Sequence, residues 1–479
     1  MGLLDVPVSP APIERFRTVL GEKQYAELLE LVGRARQEIG STVVWNVNST
    51  ARGGGVAELL QALIAYSRGA GIDARWLVVD GPPEFFQVTK RLHNELHGSA
   101  VDRVKLTDEE RAIYLKVSEH NAAALLERMR PGDVVLLHDP QTAGLVAPLV
   151  RAGSLVVWRC HIGTDQAGES VRGAWEFLTP LVREADAFVF HRQAFVWPGL
   201  DQRRVHLIRP SVDAFSPKNQ DISPVAVHGI LAAAGVLADG PASEAIYQRL
   251  DGTRGRVERR MFVDQEGPLP SDVPVVVQVS RWDALKDPAG VLQAFARAIA
   301  PAGDAHLLLG GPDVTAVADD PEGREVLAGC HAIRDELPED VRARVHLAAL
   351  PMEDVEENAA MVNALQRYAT VVVQKSVAEG FGLTVAEAMW KGRPVVAGRV
   401  GGIQEQIEHG RSGILVNPTD LDEFAGAVNG LLGEPRRAAR LGQAARERVR
   451  REFLGPRHLE DYGALVEELL RERAGAPGR

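Results

Sequence analysis

A chain of 479 residues can hold two or three domains and can bury sizeable cores. Its formal net charge of −11 argues against a general binder of nucleic acid or of anionic membranes. The two cysteines, Cys160 and Cys330, exclude a disulfide framework or a zinc-finger spacing, and no run of about 18 uncharged apolar residues predicts a membrane span. We therefore expect a cytoplasmic protein.

The N-terminal half alternates predicted strands with predicted helices. Apolar spacing predicts one amphipathic helix over residues 13–39. A buried strand at residues 42–46 then meets a glycine-rich loop that leads into a helix over residues 56–66. Loop amides at such a helix start can cradle phosphate, so Gly54 and Gly55 are candidate ligand contacts. Further strands are predicted at residues 75–79, 133–137, 155–159, 187–191 and 205–208.

Polar side chains follow two of these strands. Strand 133–137 ends in His138-Asp139-Pro140-Gln141, and strand 155–159 ends in Cys160-His161. Open α/β sheets bind ligands just past the carboxyl ends of their strands, so both segments are candidates for a binding site. A polar helix that begins near Phe85 and Phe86 adds two more side chains. The candidates on this half are Lys90, His93, Asp139, Gln141 and His161.

The second half restarts with a strong strand after a patchy segment. Residues 219–272 mix Ala-rich, charged and Pro-containing stretches, which indicates a domain junction with an insertion. The buried strand at residues 274–280 is followed by Arg281 and Lys286. Charge-assisted hydrogen bonds to phosphate contribute roughly 1.5–3 kcal/mol each, so these two cations can bracket a diphosphate. Strands at residues 306–309 and 344–347 and a helix over residues 355–367 follow.

The most informative stretch joins a strand at residues 371–373 to a helix through a glycine-punctuated loop. Glu379-Gly380-Phe381-Gly382 precedes the helix, which carries Glu387. The glycines allow close approach of a ligand, and carboxylates accept hydrogen bonds from the hydroxyls of a sugar or a ribose. A nucleotide sugar is long enough to contact both carboxylates. Strands at residues 394–397 and 413–416 and helices at residues 435–452 and 459–470 complete the chain.

The run from Glu379 to Met389, followed by Pro394-Val395-Val396-Ala397 and Gly401-Gly402-Ile403, resembles the donor-sugar signature of retaining GT-B glycosyltransferases of the glycogen-synthase class. The resemblance implies an α/β GT-B fold of two Rossmann-like, doubly wound domains that face a central cleft. It implies the sugar on Glu379, the ribose on Glu387 and no metal. The implied catalytic residues are His161, Glu379, Arg281 and Lys286, and the implied donor-binding residues are Gly54, Gly55, Arg281, Lys286, Gly380, Phe381, Gly382, Leu383, Thr384 and Glu387.

Several further segments are similar to trehalose synthases of the glycosyltransferring type. They include Trp45-Asn46-Val47-Asn48, Phe85-Phe86-Gln87, His138-Asp139-Pro140-Gln141, Pro210-Ser211-Val212-Asp213 and Val371-Val372-Val373-Gln374-Lys375-Ser376. That similarity implies a reversible reaction of UDP- or ADP-glucose with free glucose, without a further cofactor. It implies acceptor contacts from Lys90, His93, Asp139 and Gln141. Gly163-Thr164-Asp165 departs from that family, in which Ile162 would precede an Asp.

We expect three parts in the chain. Residues 1–213 form the acceptor-binding domain, together with a crossing helix at residues 455–479. Residues 214–273 form the junction and insertion, and residues 274–454 form the nucleotide-sugar-binding domain. Sugars and a nucleotide sugar are the expected partners, without nucleic acid or membrane, and a homodimer is one expected assembly.

Other activities stay open at this point. A retaining trehalose phosphorylase would place phosphate where the nucleotide diphosphate binds and would not need Glu387. A related GT-B glucosyltransferase could use another small acceptor. A nucleotide-sugar epimerase or hydrolase on the same scaffold would need Glu379 as an acid or base, and a sensor that only binds nucleotide sugars would need no acceptor residues.

Overall fold

The computed structural model describes residues 2–51, 54–98, 105–314 and 321–475. It divides the chain into two compact units, one formed by Met1–Ser211 with Phe453–Arg479 and one formed by Val212–Glu452. Residues 52 and 53 of the predicted glycine-rich loop lie outside the described residues.

In the described part of the chain, unit 1 contains a seven-stranded sheet in the order β1-β3-β2-β4-β5-β6-β7. The short first strand pairs antiparallel with β3, and the other strands run parallel. Strands buried on both faces read as continuous apolar runs, which is typical of parallel sheets. The strands are β1 (Leu4–Asp5), β2 (Val44–Asn48), β3 (Ala74–Val78), β4 (Val134–His138), β5 (Leu155–Arg159), β6 (Ala187–Phe190) and β7 (Val205–Leu207).

Helices cover both faces of this sheet. On one face, Val47, Leu137 and Trp158 pack with apolar side chains of α3 to α6, and on the other, Leu136 and Val157 pack with side chains of α1 and α2. Alternate residues of each strand therefore belong to different cores. The helices are α1 (Glu22–Ile39), α2 (Gly55–Gly69), α3 (Pro83–Leu96), α4 (Asp108–Leu126), α5 (Val146–Arg151) and α6 (Glu169–Val182).

The prediction of one helix over residues 13–39 is wrong. A 3₁₀ helix over Ile13–Thr18 is followed by Gly21 in an extended conformation, with φ −72° and ψ 158°, and α1 begins only at Glu22. Phe16 is fully buried against Tyr66, with 4.5 Å between the ring centroids. The break lets Phe16 reach the core while α1 takes a separate path.

Unit 2 contains a second seven-stranded sheet in the order β10-β13-β12-β11-β14-β15-β16, counted over the described residues. Residues 219–272 belong to this unit and form a helix, a hairpin and an antiparallel edge strand. The strands are β8 (Ile246–Gln248), β9 (Arg254–Arg256), β10 (Phe262–Asp264), β11 (Val275–Val279), β12 (His306–Pro312), β13 (Val345–Leu350), β14 (Val371–Gln374), β15 (Val395–Gly398) and β16 (Ile414–Val416).

The helices of unit 2 pack around this sheet. A core of Val276, Leu307, Leu309 and Val371 packs against apolar side chains of α8, α9 and α14. The helices are α7 (Pro224–Ala233), α8 (Pro288–Ala294), α9 (Pro321–Asp335), α10 (Glu339–Arg342), α11 (Val355–Tyr368), α12 (Leu383–Trp390), α13 (Ile403–Gln406), α14 (Leu421–Gly433) and α15 (Pro435–Glu452).

The last helix, α16 (Gly455–Gly475), returns to unit 1 and packs on α1 and α2. Its Tyr462 hydroxyl accepts a hydrogen bond from buried Arg159, and its His458 ring lies 3.3 Å from the same guanidinium. His458 Nδ1 lies 3.0 Å from Ser211 Oγ. These contacts fix α16 at the end of β5.

Both parallel sheets reverse their strand order at one point. In unit 1, the chain builds outward from β2 to β3 and then returns to place β4 on the other side of β2. In unit 2, it builds from β11 to β12 and β13 and then places β14 beside β11. The crevice outside the strand ends at such a switch point is the usual ligand site of open α/β sheets. The sites therefore belong after β2 and β4 in unit 1 and after β11 and β14 in unit 2.

A buried histidine pair in unit 2 makes stability depend on pH. His306 Nδ1 lies 3.0 Å from His346 Nε2, and Gln265 Oε1 lies 2.9 Å from His346 Nδ1. Burial lowers the pKa of His346 to about 3. An unfolded histidine has a pKa of about 6.5. Between about pH 3 and pH 6.5, the unfolded chain therefore binds a proton that the folded chain does not bind. Stability from this group is complete above pH 6.5 or so and falls as the pH drops toward 3.

We expect the unfolding free energy of unit 2 to fall on acidification by up to about 1.4 kcal/mol per pH unit from this histidine. Urea titrations of the protein and of His346→Gln at pH 7.5 and pH 5.0 measure the contribution, since glutamine does not titrate. The variant should lose less stability than the wild type between the two pH values. An equal loss in both proteins would show that His346 titrates normally.

Candidate active site

The switch point of unit 2 brings Lys286 and Glu379 into direct contact. Lys286 follows β11 and Glu379 follows β14, and these two strands are neighbours. Lys286 Nζ donates to Glu379 Oε2 at 2.6 Å, and the two side chains are only 16% and 11% exposed. A carboxylate beside an ammonium in this half-buried position can bind a sugar hydroxyl while the cation faces an anion.

A second ion pair, which sequence reasoning missed, crosses the same two loops. Lys375 follows β14 directly, is almost fully buried and donates to the Asp287 carboxylate. Asp287 follows Lys286, has a positive φ of 50° and caps α8 by accepting from Gly290 N at 3.0 Å. A lysine directly after a buried strand needs an anionic partner, and an ion pair of Lys375 could have been predicted on that ground. Because Lys286 and Asp287 are adjacent in sequence, the two ion pairs together connect the loop after β11 to the loop after β14.

Backbone approaches shape the loop that contains Glu379. Gly402 N donates to Gly380 O at 2.9 Å, and Gly401 has a positive φ of 44°. A Cβ on Gly401 would lie 1.7 Å from Glu379 O. Gly382 has φ 85° and is the N-cap residue of α12. The glycines thus allow two backbone segments, residues 379–382 and 401–402, to pack where side chains would not fit.

Four further predicted donor residues also belong to unit 2. Phe381 is 8% exposed and Leu383 is the first residue of α12. Thr384 Oγ1 donates to Gln374 Oε1 at 3.1 Å, which ties the start of α12 to the end of β14. Arg281 is 69% exposed and forms an ion pair with Asp283 at 2.8 Å. A ligand phosphate can reach Arg281 without displacing a buried group.

Glu387 lies inside unit 2 and not at its surface. It is 2% exposed, and its Oε1 lies 3.8 Å from Lys218 Nζ. Lys391, one turn later, donates to Asn219 Oδ1 at 2.9 Å and Gln366 Oε1 at 2.8 Å. Burial lowers the pKa of Lys391, and the nearby Glu387 opposes this effect. The buried carboxylate is thus held in a polar pocket beside two lysines.

In unit 1, Asp139 lies at the switch point and holds His161. Its backbone has φ 65° and ψ 178°, a region that residues other than glycine rarely adopt. His161 N donates to Asp139 Oδ1 at 2.7 Å. Burial raises the pKa of Asp139 to about 7. The strained conformation places a carboxyl that can change its charge near neutral pH beside the predicted catalytic histidine.

His138 contacts the same histidine, and Asn46 contacts His138 in turn. Neither residue was among the predicted site residues. His138 Nδ1 lies 3.0 Å from His161 Nε2, and His138 Nε2 lies 3.2 Å from Asn46 Oδ1. Burial lowers the pKa of His138 to about 3 and lowers that of His161 well below its usual value. Both rings are therefore neutral at neutral pH.

The other predicted acceptor residues lie on two helices of unit 1 that pack together. Gln141 belongs to a 3₁₀ helix, Pro140–Leu145, against which α3 packs. Its Oε1 is buried and has no hydrogen-bond partner among the described residues. On α3, Lys90 is exposed, and the half-buried His93 lies 4.9 Å from His97 between ring centroids. The unsatisfied Gln141 oxygen is an acceptor suited to a bound hydroxyl.

The glycine residues after β2 and after His161 have different surroundings. Gly54 has φ 80° and precedes α2, which begins at Gly55, and both are exposed. A Cβ on Gly163 would lie 2.2 Å from the Phe195 ring. The Asp expected after Ile162 would therefore not fit at position 163 beside Phe195. Asp165 forms an ion pair with Arg192 at 2.9 Å.

A search of the described ranges finds no group of three or more His, Cys, Asp or Glu residues that could hold a metal ion. Within the same ranges, every helix is too short or too polar to cross a membrane.

Two family models match this chain. A model described as the N-terminal domain of trehalose synthase matches residues 46–197, and one described as glycosyl transferases group 1 matches residues 260–448. These ranges contain every candidate residue discussed above.

Curated proteins match across almost the whole chain. A trehalose synthase from Rubrobacter xylanophilus is 36% identical over 462 residues, covering 95% of this chain and 96% of that protein. A trehalose phosphorylase from Pleurotus pulmonarius is 26% identical over 505 residues, covering 97% of this chain and 64% of that protein. Among solved structures, an α,α-trehalose 6-phosphate synthase from Burkholderia multivorans superposes with a TM-score of 0.66 at 17% identity, covering 92% of this chain and 99% of that one. This last similarity concerns the fold alone.

Proposed function

Because this chain belongs to the trehalose synthase family of GT-B glycosyltransferases, we propose that it forms trehalose from a nucleoside-diphosphate glucose and free glucose. The reaction is reversible and retains the configuration at the anomeric carbon. UDP-glucose and ADP-glucose are the proposed donors. The observation that carries the proposal is the contact between Lys286 and Glu379 at the switch point of unit 2.

The donor is assigned to unit 2. Glu379 accepts hydroxyls of the transferred glucose, and Lys286 and Arg281 contact the diphosphate. Lys286 carries a positive charge to the position where the leaving diphosphate gains negative charge, which stabilises the transition state without reorganisation. Buried Glu387 accepts hydrogen bonds from the ribose hydroxyls. The exposed backbone of Gly54 and Gly55 in unit 1 is the proposed further contact to the donor.

Retention requires the acceptor hydroxyl to approach the face from which the diphosphate leaves. The glucosyl group develops oxocarbenium character, as in glycoside hydrolysis. The bond from the anomeric carbon to the diphosphate oxygen breaks, and a bond to the acceptor oxygen forms. The acceptor proton moves to the departing phosphate oxygen, so the products are trehalose and a nucleoside diphosphate.

Free glucose is assigned to unit 1. Asp139 and Gln141 offer acceptor oxygens after β4, and Gln141 Oε1 is buried without a partner among the described residues. Lys90 and His93 on α3 are the proposed donors to the other hydroxyls. Asp139 also positions His161 through the backbone amide.

A trehalose phosphorylase is the second candidate, because the Pleurotus pulmonarius relative matches 97% of this chain. Phosphate would then take the place of the nucleoside diphosphate, and the carboxylate of Glu387 would have no ribose to bind. The cytoplasm is the proposed location for either activity, and a homodimer is the proposed assembly.

Mass spectrometry of the products from a panel of nucleoside-diphosphate glucoses and free sugars tests the proposal. Donor labelled with ¹³C in glucose should yield a disaccharide that carries the label in one ring and that a trehalase cleaves. Free glucose should be the preferred acceptor. The absence of any disaccharide from every donor with glucose would contradict the proposal.

Glu387→Gln should raise the KM for the nucleoside-diphosphate glucose roughly tenfold, because losing a charge-assisted hydrogen bond to the ribose weakens binding by about 1.4 kcal/mol. The kcat should change little, since the ribose does not react. Initial rates at saturating glucose with varied donor measure both constants. Glu357→Gln is the matched control, because Glu357 is equally buried in unit 2 but pairs with Arg259. If the two variants shared the wild-type KM, Glu387 would not bind the ribose.

A further inference from the structure

Asn46, His138 and His161 form one hydrogen-bonded row in unit 1. The distances are 3.2 Å from Asn46 Oδ1 to His138 Nε2 and 3.0 Å from His138 Nδ1 to His161 Nε2. An amide oxygen only accepts hydrogen bonds, so His138 carries its proton on Nε2 and a lone pair on Nδ1. His161 must then donate from its own Nε2. Its Nδ1 carries the lone pair.

The row is held in place by burial and by the backbone. His138 is fully buried, Asn46 is 2% exposed, and the two imidazole rings stack at 5.3 Å with an interplanar angle of 22°. Asn46 belongs to β2 and His138 ends β4, the two strands that meet at the switch point. Asp139 fixes the His161 backbone through a hydrogen bond of 2.7 Å. His138 thus holds the ring of His161, and Asp139 holds its main chain.

We propose that Asn46 and His138 are positioning residues that hold His161 in the Nε2–H tautomer, so that His161 Nδ1 accepts a hydrogen bond from a sugar hydroxyl. Without this row, Nδ1 of a neutral His161 could present either an N–H group or a lone pair to the substrate. Fixing one tautomer raises the fraction of protein molecules in which His161 Nδ1 can accept a hydrogen bond from a sugar hydroxyl. The identity of the ligand rests on the proposed function, whereas the tautomer does not.

Unit 2 offers a control with the same geometry. His306 Nδ1 lies 3.0 Å from His346 Nε2, and these rings also stack at 5.3 Å, with an interplanar angle of 20°. His306 begins β12, so this pair lies at the amino end of its strands and not at the carboxyl end. Replacing His346 by leucine removes a buried histidine pair without touching the candidate site.

The first test observes the tautomer directly in the full-length protein without substrate. Side-chain ¹⁵N NMR at pH 7.5 distinguishes a protonated Nδ1 from a protonated Nε2, and the difference from His161→Gln assigns the signals. We expect His161 to be protonated on Nε2 in the wild type and in His138→Gln, because glutamine can accept from His161 and donate to Asn46. In His138→Leu we expect both tautomers. A wild-type His161 protonated on Nδ1 would overturn the proposal.

The second test compares rates with nucleoside-diphosphate glucose and glucose. His138→Leu should lower kcat roughly tenfold, with a smaller change in KM, because the His161 ring loses its fixed orientation as well as its single tautomer. His138→Gln should restore most of that loss, and His346→Leu should lose stability without a matching loss of kcat. Equal kcat values for the two His138 variants would overturn the proposal. A wild type that makes no trehalose would end the proposed function, while the NMR result would still decide the tautomer.

Discussion

Lys286→Met is expected to lower kcat/KM roughly 10³-fold, the effect of removing one preorganised charge from a transition state. In the wild type, Lys286 Nζ donates to Glu379 Oε2 at 2.6 Å in a half-buried position. Methionine has a similar length but no charge, so the leaving diphosphate loses its cation and Glu379 loses its partner. Steady-state rates and product analysis with a nucleoside-diphosphate glucose and glucose measure the loss.

Arg297→Met serves as the control for Lys286→Met. Arg297 forms an exposed ion pair with Asp422 in the same unit, and exposed pairs contribute little to stability. This variant should keep wild-type rates. Lys286→Arg should fall between the two, because it retains charge but its planar guanidinium does not reproduce the ammonium contact. If Lys286→Met kept the wild-type kcat/KM, Lys286 would have no role in the reaction.

Gly401→Ala should lower kcat roughly 100-fold, since displacing a catalytic group by about 1 Å is enough for such a loss. The new Cβ would lie 1.7 Å from Glu379 O, so either the Glu379 loop or the Gly401 segment must move. Glu379 would then lose its contact with Lys286. Rates at saturating substrates measure the effect, and circular dichroism confirms that the variant is folded.

Gly410→Ala separates this clash from backbone strain. Gly410 also has a positive φ, 78°, but a Cβ added there would meet no heavy atom of the described residues within 4 Å. Both variants should lose stability by about 1–2 kcal/mol from the left-handed conformation. Only Gly401→Ala should lose activity as well. Equal activities in the two variants would show that the approach of Gly401 to Glu379 has no part in the site.

The central strands of both sheets could be predicted because each is a short, continuous apolar run. The prediction of β5 at residues 155–159 matches the observed strand, and that of a helix over residues 435–452 matches α15. The predicted GT-B fold of two Rossmann-like domains is confirmed by the two sheets and the solved relatives. The short edge strands β1 and β10 were missed, since two or three residues carry no periodic signal and pair only through tertiary contacts.

The candidate site could be predicted only where residues are close in sequence. Glu379 and the glycines next to it form a local pattern, and Lys286 follows a strong strand. The Lys375 contact with Asp287 and the His138 contact with Asn46 join residues that are 88 and 92 positions apart. Such pairs depend on which strands become neighbours, and the strand order comes from the whole fold. The role of each site residue stays a prediction.

The most direct test of the central claim is the reverse reaction, which separates a nucleotide-dependent synthase from a phosphorylase. Purified protein is incubated with trehalose and either a nucleoside diphosphate or inorganic phosphate, and the sugar products are identified by mass spectrometry. We predict nucleoside-diphosphate glucose and free glucose from the first mixture and unchanged trehalose in the second. Glucose 1-phosphate from trehalose and phosphate alone would contradict the account.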